Sequence, residues 1–488
     1  MLFKKIKKIY MIGIKGVGMT MLAQFLSAKG NEVIGSDTKE VFMTDKVLKN
    51  SGIKVIEGFN AANMPKDANL IIYSTAYNAK TNVEVAKALE GKIKIVTYAE
   101  ALGAIFNEQY GVAVVGSHGK TTTTAWLGYV LEGAGKSPSV MVGASVPQFN
   151  GTSLIGKSEL LVVEADEYQN KLKHFNPRAV ILNNIDYDHP DFFPSEEEYK
   201  QVFIDFIKKI PKSGFLAVNF NDPIIRKIAS VNTLCKVISY AIKENADYVA
   251  YDIRQDREKQ YFKVKLGVSG FTNSHEEDEE VKDSELGDFS IRLIGRHNIL
   301  NALAVIAASI ELGVDLHIIR KYLEEFKGTA RRMEIMGDFR GAAIIDDYAH
   351  HPTEIKTTLA GAREIYKNNR LVVVFHPHTF TRTKALFNDF AESFSGIDEL
   401  IVLDIYGSAR EEHGGVHSRD LVELIKKQKN KKIHSTSSGQ AKKQIVKYIP
   451  TLKKCEEYLR NNIERDDVVI LMGAGDVFRI GEKLVGDK

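Results

Sequence analysis

The sequence predicts an α/β protein of three domains, on three observations. Short apolar runs of strand length alternate with helix-period segments from one end to the other, the pattern of parallel sheets covered by helices. Two of these runs empty into glycine turns, one beginning at Gly13 and one at Gly116. The length of 488 residues, at roughly 150 per domain, divides into three, with boundaries read at 1–107, 108–327 and 328–488.

Composition narrows the classes. A hydrophobic share of 44% and a charged share of 26% are those of an ordinary globular protein. A net charge of +3 argues against a dedicated nucleic-acid binder. The basic clusters at residues 4–8 and 426–432 read as solvated helix faces or frayed ends. Cys235 and Cys455 lie far apart and form no metal or redox motif, which fits a reduced, cytoplasmic compartment. No apolar signal core with a small-residue cleavage site occurs at the start, and no run of about 18 apolar residues predicts a membrane span.

In the first domain a strand over residues 8–12 runs into Gly13-Ile14-Lys15-Gly16-Val17-Gly18, then into a helical pattern over 19–28. A second strand over 32–36 ends at Asp37. Glycine turn, helix and then an acid that could meet a ribose make a Rossmann-like unit. The order GxxGxG leaves open whether Gly13, Gly16 and Gly18 face the pyrophosphate of NAD or that of a UDP-sugar. Ser74 and Thr75 follow a strand over 69–73, either at the ligand edge of the sheet or as caps of the next helix.

The central domain is built around Gly116-Ser117-His118-Gly119-Lys120-Thr121-Thr122, between the apolar run 112–115 and a helix. Strand, tight glycine loop and helix N-terminus aim backbone N–H groups at one point, an anion site. Lys120 adds a charge for phosphate oxygens and the Thr121 hydroxyl can ligate Mg²⁺. The standard P-loop spacing is not met, since Gly116 stands only three residues before Gly119. The strand ending at Glu164 suits a carboxylate that holds Mg²⁺, with Asp166 and Glu167 on the turn. The strand over 179–184 runs into Asp186, Asp188 and His189, so carboxylates and an imidazole reach the same edge. His189 reads as a ligand or as a packing residue. Residues 276–285, mostly acidic, read as a solvated loop or hairpin tip. Asn298, near the start of an amphipathic helix, reads as an adenine reader or as an N-cap.

The third domain begins near Gly328, a plausible hinge. One strand ends in Asp346-Asp347-Tyr348-Ala349-His350-His351-Pro352 and the next in His376-Pro377-His378-Thr379-Phe380-Thr381-Arg382. A further strand closes in Gly473-Ala474-Gly475-Asp476. Strands alternating with helices predict a second Rossmann-like domain. His376 and His378 lack the neighbours that a zinc site needs.

Taken in order, these blocks resemble the Mur ligases, ATP-dependent amide-forming enzymes of peptidoglycan precursor synthesis. The resemblance covers all three domains and rests on residues 13–19, 116–124, 164–167, 184–189, 297–302, 331–332, 346–352, 376–383 and 473–476. Met333 departs from it, since an aromatic residue usually follows the arginine pair. The resemblance implies a UDP-sugar domain, a central P-loop ATPase-like domain and a C-terminal domain for the incoming amino acid. It implies ATP on residues 116–122, with Asn298 at adenine and Arg331 or Arg332 and Asp347 at the phosphates and ribose. Thr121, Glu164 and His189 would surround Mg²⁺. His350, His351, His376 and Arg382 would line the amino-acid pocket, Arg382 taking the carboxylate.

The implied reaction activates the lactyl carboxylate of UDP-N-acetylmuramic acid as an acyl phosphate, which the amine of L-alanine attacks. Lys120 and Glu164 would serve the phosphoryl transfer, and His351 or its rival His189 would take the amine proton. Ligation of a recycled tripeptide to the same sugar is the nearest alternative. A nicotinamide-dependent dehydrogenase and a nucleotide-gated binding protein without turnover are the readings from other classes. The partners expected are these small molecules, with neither nucleic acid nor membrane; the sequence leaves oligomeric state open.

Overall fold

The computed structural model describes residues 2–3, 6–42, 44–229, 233–256, 258–267, 284–407, 414–435 and 444–486. It is an α/β chain carrying three separate sheets.

The first sheet has β1 (Lys8–Ile12), β2 (Glu32–Asp37), β3 (Lys54–Glu57), β4 (Leu70–Tyr73) and β5 (Lys94–Thr97) in the order β3-β2-β1-β4-β5, all parallel. Ile12 pairs with both Ser36 and Tyr73, so the residues after β1, β2 and β4 emerge at one edge. Ligands of such sheets bind at that carboxyl edge.

The second sheet takes β6 (Tyr110–Val115), β7 (Ser139–Val146), β8 (Gly151–Leu154), β9 (Leu160–Glu164) and β10 (Ala179–Leu182). It continues through β11 (Phe215–Asn219), β12 (Lys236–Ile242), β13 (Tyr248–Gln255), β14 (Gln260–Leu266) and β15 (Glu285–Ile291). The order is β15-β14-β13-β12-β11-β10-β6-β9-β7-β8. Strands β10, β6 and β9 are parallel neighbours, with Val115 opposite Leu182 and Val114 opposite Glu164. That register sets the glycine loop, the Glu164 carboxylate and Asn183 side by side. Strands β13–β15 form an antiparallel extension that the sequence did not predict. Apart from the buried start of β13, their residues alternate between more and less buried, so no long apolar run marks them. Of the acidic stretch, residues 276–283 lie outside the described residues.

The helix Lys120–Gly133 leaves the glycine loop and packs against β7, where a Cβ at Gly128 would come within 2.6 Å of Val140. Trp126, fully buried, stacks on Phe326 at 5.2 Å. The helix Arg296–Glu311 was expected to be amphipathic. Its residues 301–309 are instead all buried, because it is covered by both the sheet and helix Lys120–Gly133.

The third sheet has β16 (Glu334–Phe339), β17 (Ala342–Asp347), β18 (Leu371–Phe375), β19 (Glu399–Val402), β20 (Ile445–Tyr448) and β21 (Val468–Met472). The order is β16-β17-β21-β18-β19-β20, with only β16 antiparallel. The first two lobes share one apolar core, in which Phe106 meets Phe175 edge-on at 5.1 Å. The third lobe closes its own two cores and meets the central lobe largely through polar side chains.

Candidate active site

Backbone geometry makes the phosphate loop. Gly116 and Gly119 have φ of +125° and +79°, the left-handed side that glycine alone adopts freely. Close neighbours also exclude a side chain there. A Cβ at Gly116 would meet the Asn184 carbonyl at 2.7 Å, and one at Gly119 the Asn301 Oδ1 at 2.6 Å. Asn184 pins the loop by accepting the His118 amide at 2.7 Å and donating to the His118 carbonyl at 3.0 Å. Sequence reasoning gave Asn184 no role. Its signal was an amide residue at a strand end, opposite the loop.

Lys120 is folded onto its own loop. Its ammonium donates to the Gly116 and Ser117 carbonyls and to Glu167 Oε2, the last at 3.0 Å. Burial disfavours its charge, but Glu167 and Asp166 outweigh that and raise its pKa. Tyr199 ties the same group together, donating to Glu167 at 3.1 Å and meeting Ser117 Oγ at 2.8 Å. Glu167 was read only as an acid on the turn after Glu164, and Tyr199 was not among the expected residues, since an aromatic on a helix carries no distinctive spacing.

Thr121 donates to Glu164 Oε1 at 2.7 Å, and Glu164 Oε2 accepts the Gly143 amide at 2.5 Å. His189 is not in that pair. Its ring belongs with Asp166 and Glu167, in a group whose ligand atoms lie within 4.8 Å of one another. The hydroxyl and carboxylate donors are the hard oxygens that Mg²⁺ prefers. Lys120, Thr121, Glu164 and His189 all line one cavity of about 900 Å³.

That cavity also takes Lys15 and Gly16 from the first lobe and Arg331, Arg332, Tyr348, His350 and Ala474 from the third. Other residues expected at the sugar do not line it. Asp37 was expected to meet a ribose, but it is 2% exposed and its carboxylate accepts the Lys15 and Thr38 amides at 2.7 and 2.8 Å. It closes the glycine turn from inside. A Cβ at Gly13 or Gly18 would strike Tyr77 or Tyr98 at 2.8 Å, so these glycines serve packing. Ser74 Oγ accepts the Ala76 amide, and Thr75 donates to Gln169 of the central lobe at 3.2 Å.

A second cavity, of about 1220 Å³, lies between the central and third lobes and joins the loop at Gly119 and Thr122. Asn298, Asn301, Lys327, Arg332, Asp347 and Thr358 face it. Asn298 donates to the Ile294 carbonyl at 2.8 Å and accepts from Asn301 at 3.1 Å, so its amide is locally engaged. Of the arginine pair, Arg331 is fixed by Asp346 at 2.8 Å and by the Gly473 carbonyl at 2.8 Å. Arg332, over the Tyr348 ring at 5.0 Å, faces both cavities.

The third lobe reaches the loop through Glu354. Its Oε1 stands 3.2 Å from His118 Nδ1, while Asp186 meets His118 Nε2 at 3.1 Å. Burial works against a charged His118, but these two carboxylates offset it and raise the imidazole to about 9. Glu354 Oε2 also meets His350 Nδ1 at 3.3 Å.

The four residues expected at the amino-acid pocket lie in different settings. His351 was the expected base, but its Nδ1 accepts the Thr353 amide at 3.3 Å as a helix cap and its ring lines neither cavity. His350 lines the first cavity instead, and its Nδ1 lies 3.0 Å from the Tyr348 carbonyl. A carbonyl only accepts, so Nδ1 carries the proton and Nε2 keeps a free lone pair. Burial lowers His350 to about 3, holding it neutral. His376 is buried beneath Gly473 and Gly475 with Asp476 at 3.5 Å, away from both cavities. Arg382 was expected to hold a substrate carboxylate; its Nε and Nη2 instead grip Asp188 of the central lobe at 2.9 and 3.2 Å.

Family models match three consecutive stretches: the Mur ligase family catalytic domain over residues 8–110, the Mur ligase middle domain over 114–309 and the Mur ligase glutamate ligase domain over 331–475. The chain is 37% identical over 487 residues to a UDP-N-acetylmuramate–L-alanine ligase of Caldanaerobacter subterraneus subsp. tengcongensis, covering 99% of this chain and 98% of the relative. It is 38% identical over 482 residues to the like-named ligase of Clostridium kluyveri, covering 98% of each. Among solved structures, UDP-N-acetylmuramate-alanine ligase MurC of Thermotoga maritima superposes with a TM-score of 0.79 at 25% identity over 98% of both chains. A murein peptide ligase of Psychrobacter arcticus shares the fold, with a TM-score of 0.70 at 24% identity over 98% of both chains.

Proposed function

The chain belongs to the Mur ligase family, and from that premise we propose that it joins L-alanine to UDP-N-acetylmuramic acid with ATP and Mg²⁺. The observation that carries this reading is the cavity in which the phosphate loop, the Thr121–Glu164 pair and residues of both outer lobes converge. Such a cavity suits a reaction that brings a sugar-borne acid, a triphosphate and an amine to one point.

A carboxylate does not react with an amine until one of its oxygens becomes a leaving group. In our reading the lactyl carboxylate attacks the γ-phosphorus of ATP, ADP departs, and a mixed anhydride remains. The adenine and ribose would occupy the larger cavity, beside Asn298, Lys327 and Asp347. Lys120 would turn from the Gly116 and Ser117 carbonyls to the triphosphate, and Arg332 would approach it from the third lobe. Where Mg²⁺ is bound it neutralises phosphate charge; Thr121, Glu164 and the group of Asp166, Glu167 and His189 are the donors that would hold it. The amine then attacks the carbonyl carbon, the bond from that carbon to the phosphate oxygen breaks, and phosphate leaves with the proton that the amine gives up. His350 Nε2, with its lone pair free, would accept a hydrogen bond from that amine and orient it. Closure of the third lobe would keep water from the anhydride.

The nicotinamide reading loses its main support, since the Asp37 carboxylate is buried on the Lys15 and Thr38 amides. A cytoplasmic location goes with the proposed substrates, and no helix among the described residues is long and apolar enough to cross a membrane. The test compares phosphate release from ATP and UDP-N-acetylmuramic acid with L-alanine or with the muropeptide tripeptide as acceptor. Turnover with L-alanine is the expected result; turnover with the tripeptide alone would assign the chain to peptide recycling.

A further inference from the structure

Asp188 uses one carboxylate for two tasks in two lobes. Its Oδ1 accepts the backbone amide of His189 at 2.7 Å and Arg382 Nε at 2.9 Å, while Oδ2 accepts Arg382 Nη2 at 3.2 Å. Asp188 follows β10 of the central lobe, and Arg382 lies on the short helix Phe380–Ala385 of the third. The pair is buried, at 6% and 5% exposure.

His189 sits at φ of +57°, a left-handed conformation uncommon for residues other than glycine. Its amide is held by Asp188, and its carbonyl accepts the Phe192 and Phe193 amides at 2.9 Å each. So fixed, its ring lies on Tyr168 at 4.5 Å, with Nε2 3.8 Å from Glu167 Oε1 and 3.7 Å from Asp188 Oδ2.

We infer that Asp188 and Arg382 are positioning residues through which the docked third lobe sets the backbone of His189 and so completes the Asp166–Glu167–His189 cluster. This rests on the reading of that cluster as part of the Mg²⁺ site. The consequence is that cation affinity depends on a side chain, Arg382, that belongs to another lobe and lines neither cavity. Residues that orient a ligand from behind typically change metal affinity by about 10–100-fold when replaced.

Two measurements on the full chain test it. Hydrogen exchange on the metal-free protein follows the peptide containing residues 186–193, where Arg382→Gln should remove protection although it lies far away in sequence. Mn²⁺ binding, followed by the free-ion paramagnetic resonance signal, should weaken about tenfold in both Asp188→Asn and Arg382→Gln. The double variant should bind no worse than either single one, and Arg382→Lys, which keeps the charge without the fork, should fall between. Unchanged exchange in Arg382→Gln overturns the inference. So does Mn²⁺ affinity that falls in Asp188→Asn but not in Arg382→Gln, since Asp188 would then act alone. A wild-type chain that takes up no Mn²⁺ overturns both this inference and the cation-site reading beneath it.

Discussion

His118 shows how much one side chain in the loop can do. It stands between Asp186 of its own lobe and Glu354 of the third, and its pKa is about 9 rather than the ordinary 6.5. A folded-state value above the unfolded one means that the charged pairing is fully present below pH 6.5 and is lost as pH rises through 9. The difference corresponds to about 3 kcal/mol at most. The melting temperature of wild type should therefore exceed that of His118→Gln most near pH 6, with the gap closing by pH 10; a constant gap would contradict the pairing. Lys120 makes a cleaner functional probe. Its ammonium lies on the Gly116 and Ser117 carbonyls of the loop, within reach of a bound triphosphate, so Lys120→Ala should reduce ATP-dependent ligation by about a thousandfold or more. Affinity for UDP-N-acetylmuramic acid, measured by calorimetry, should stay within about twofold, because in our reading the sugar nucleotide is held by the first lobe.

At the scale of elements, the strand–loop–helix unit was legible in the sequence because each part has its own signature. An apolar run gives β6, glycines give the turn, and a lysine with threonines opens the helix Lys120–Gly133. What holds the loop in shape was not legible. Asn184 and Asn301 arrive from 66 and more residues away, and only the β6–β10 register brings Asn184 beside His118. The same limit explains Asp37, which looked like a ligand acid by spacing and proved to be a buried clamp on the Lys15 amide. It also explains Arg382, whose partner Asp188 no local pattern could have named. Gly119→Ala tests the loop directly. Its φ of +79° and the 2.6 Å approach to Asn301 leave no space for a methyl group without a shift. Strain of about 1–2 kcal/mol should lower the melting temperature modestly. ATP affinity should fall far more, by about tenfold or greater, as the N–H groups lose their convergence. Equal loss of ATP and sugar affinity would mean that the whole lobe, not the loop, had been disturbed.

Across the whole molecule, the joints between lobes differ in kind. The first two lobes share an apolar core that includes Phe25, Leu102, Phe106, Leu172 and Phe175, so they behave as one body. The third is fastened to the central lobe by the charged contacts Glu354–His118 and Arg382–Asp188 and, among the described residues, shares no apolar core with it. It should therefore be the lobe that moves. Small-angle scattering of His118→Gln with Arg382→Gln should show a larger radius of gyration than wild type, and saturating ATP analogue with the sugar should narrow that difference. Domain number and sheet class were readable from alternation and length; which lobe is loosely held was not, because it depends on side chains that meet only after folding. The central claim is that the acid carried by the sugar is phosphorylated before the amine arrives. Oxygen-18 placed in the lactyl carboxylate of UDP-N-acetylmuramic acid tests it. Ligation with L-alanine should yield inorganic phosphate carrying one heavy oxygen from that carboxylate, seen by phosphorus resonance; phosphate free of the label would contradict the account.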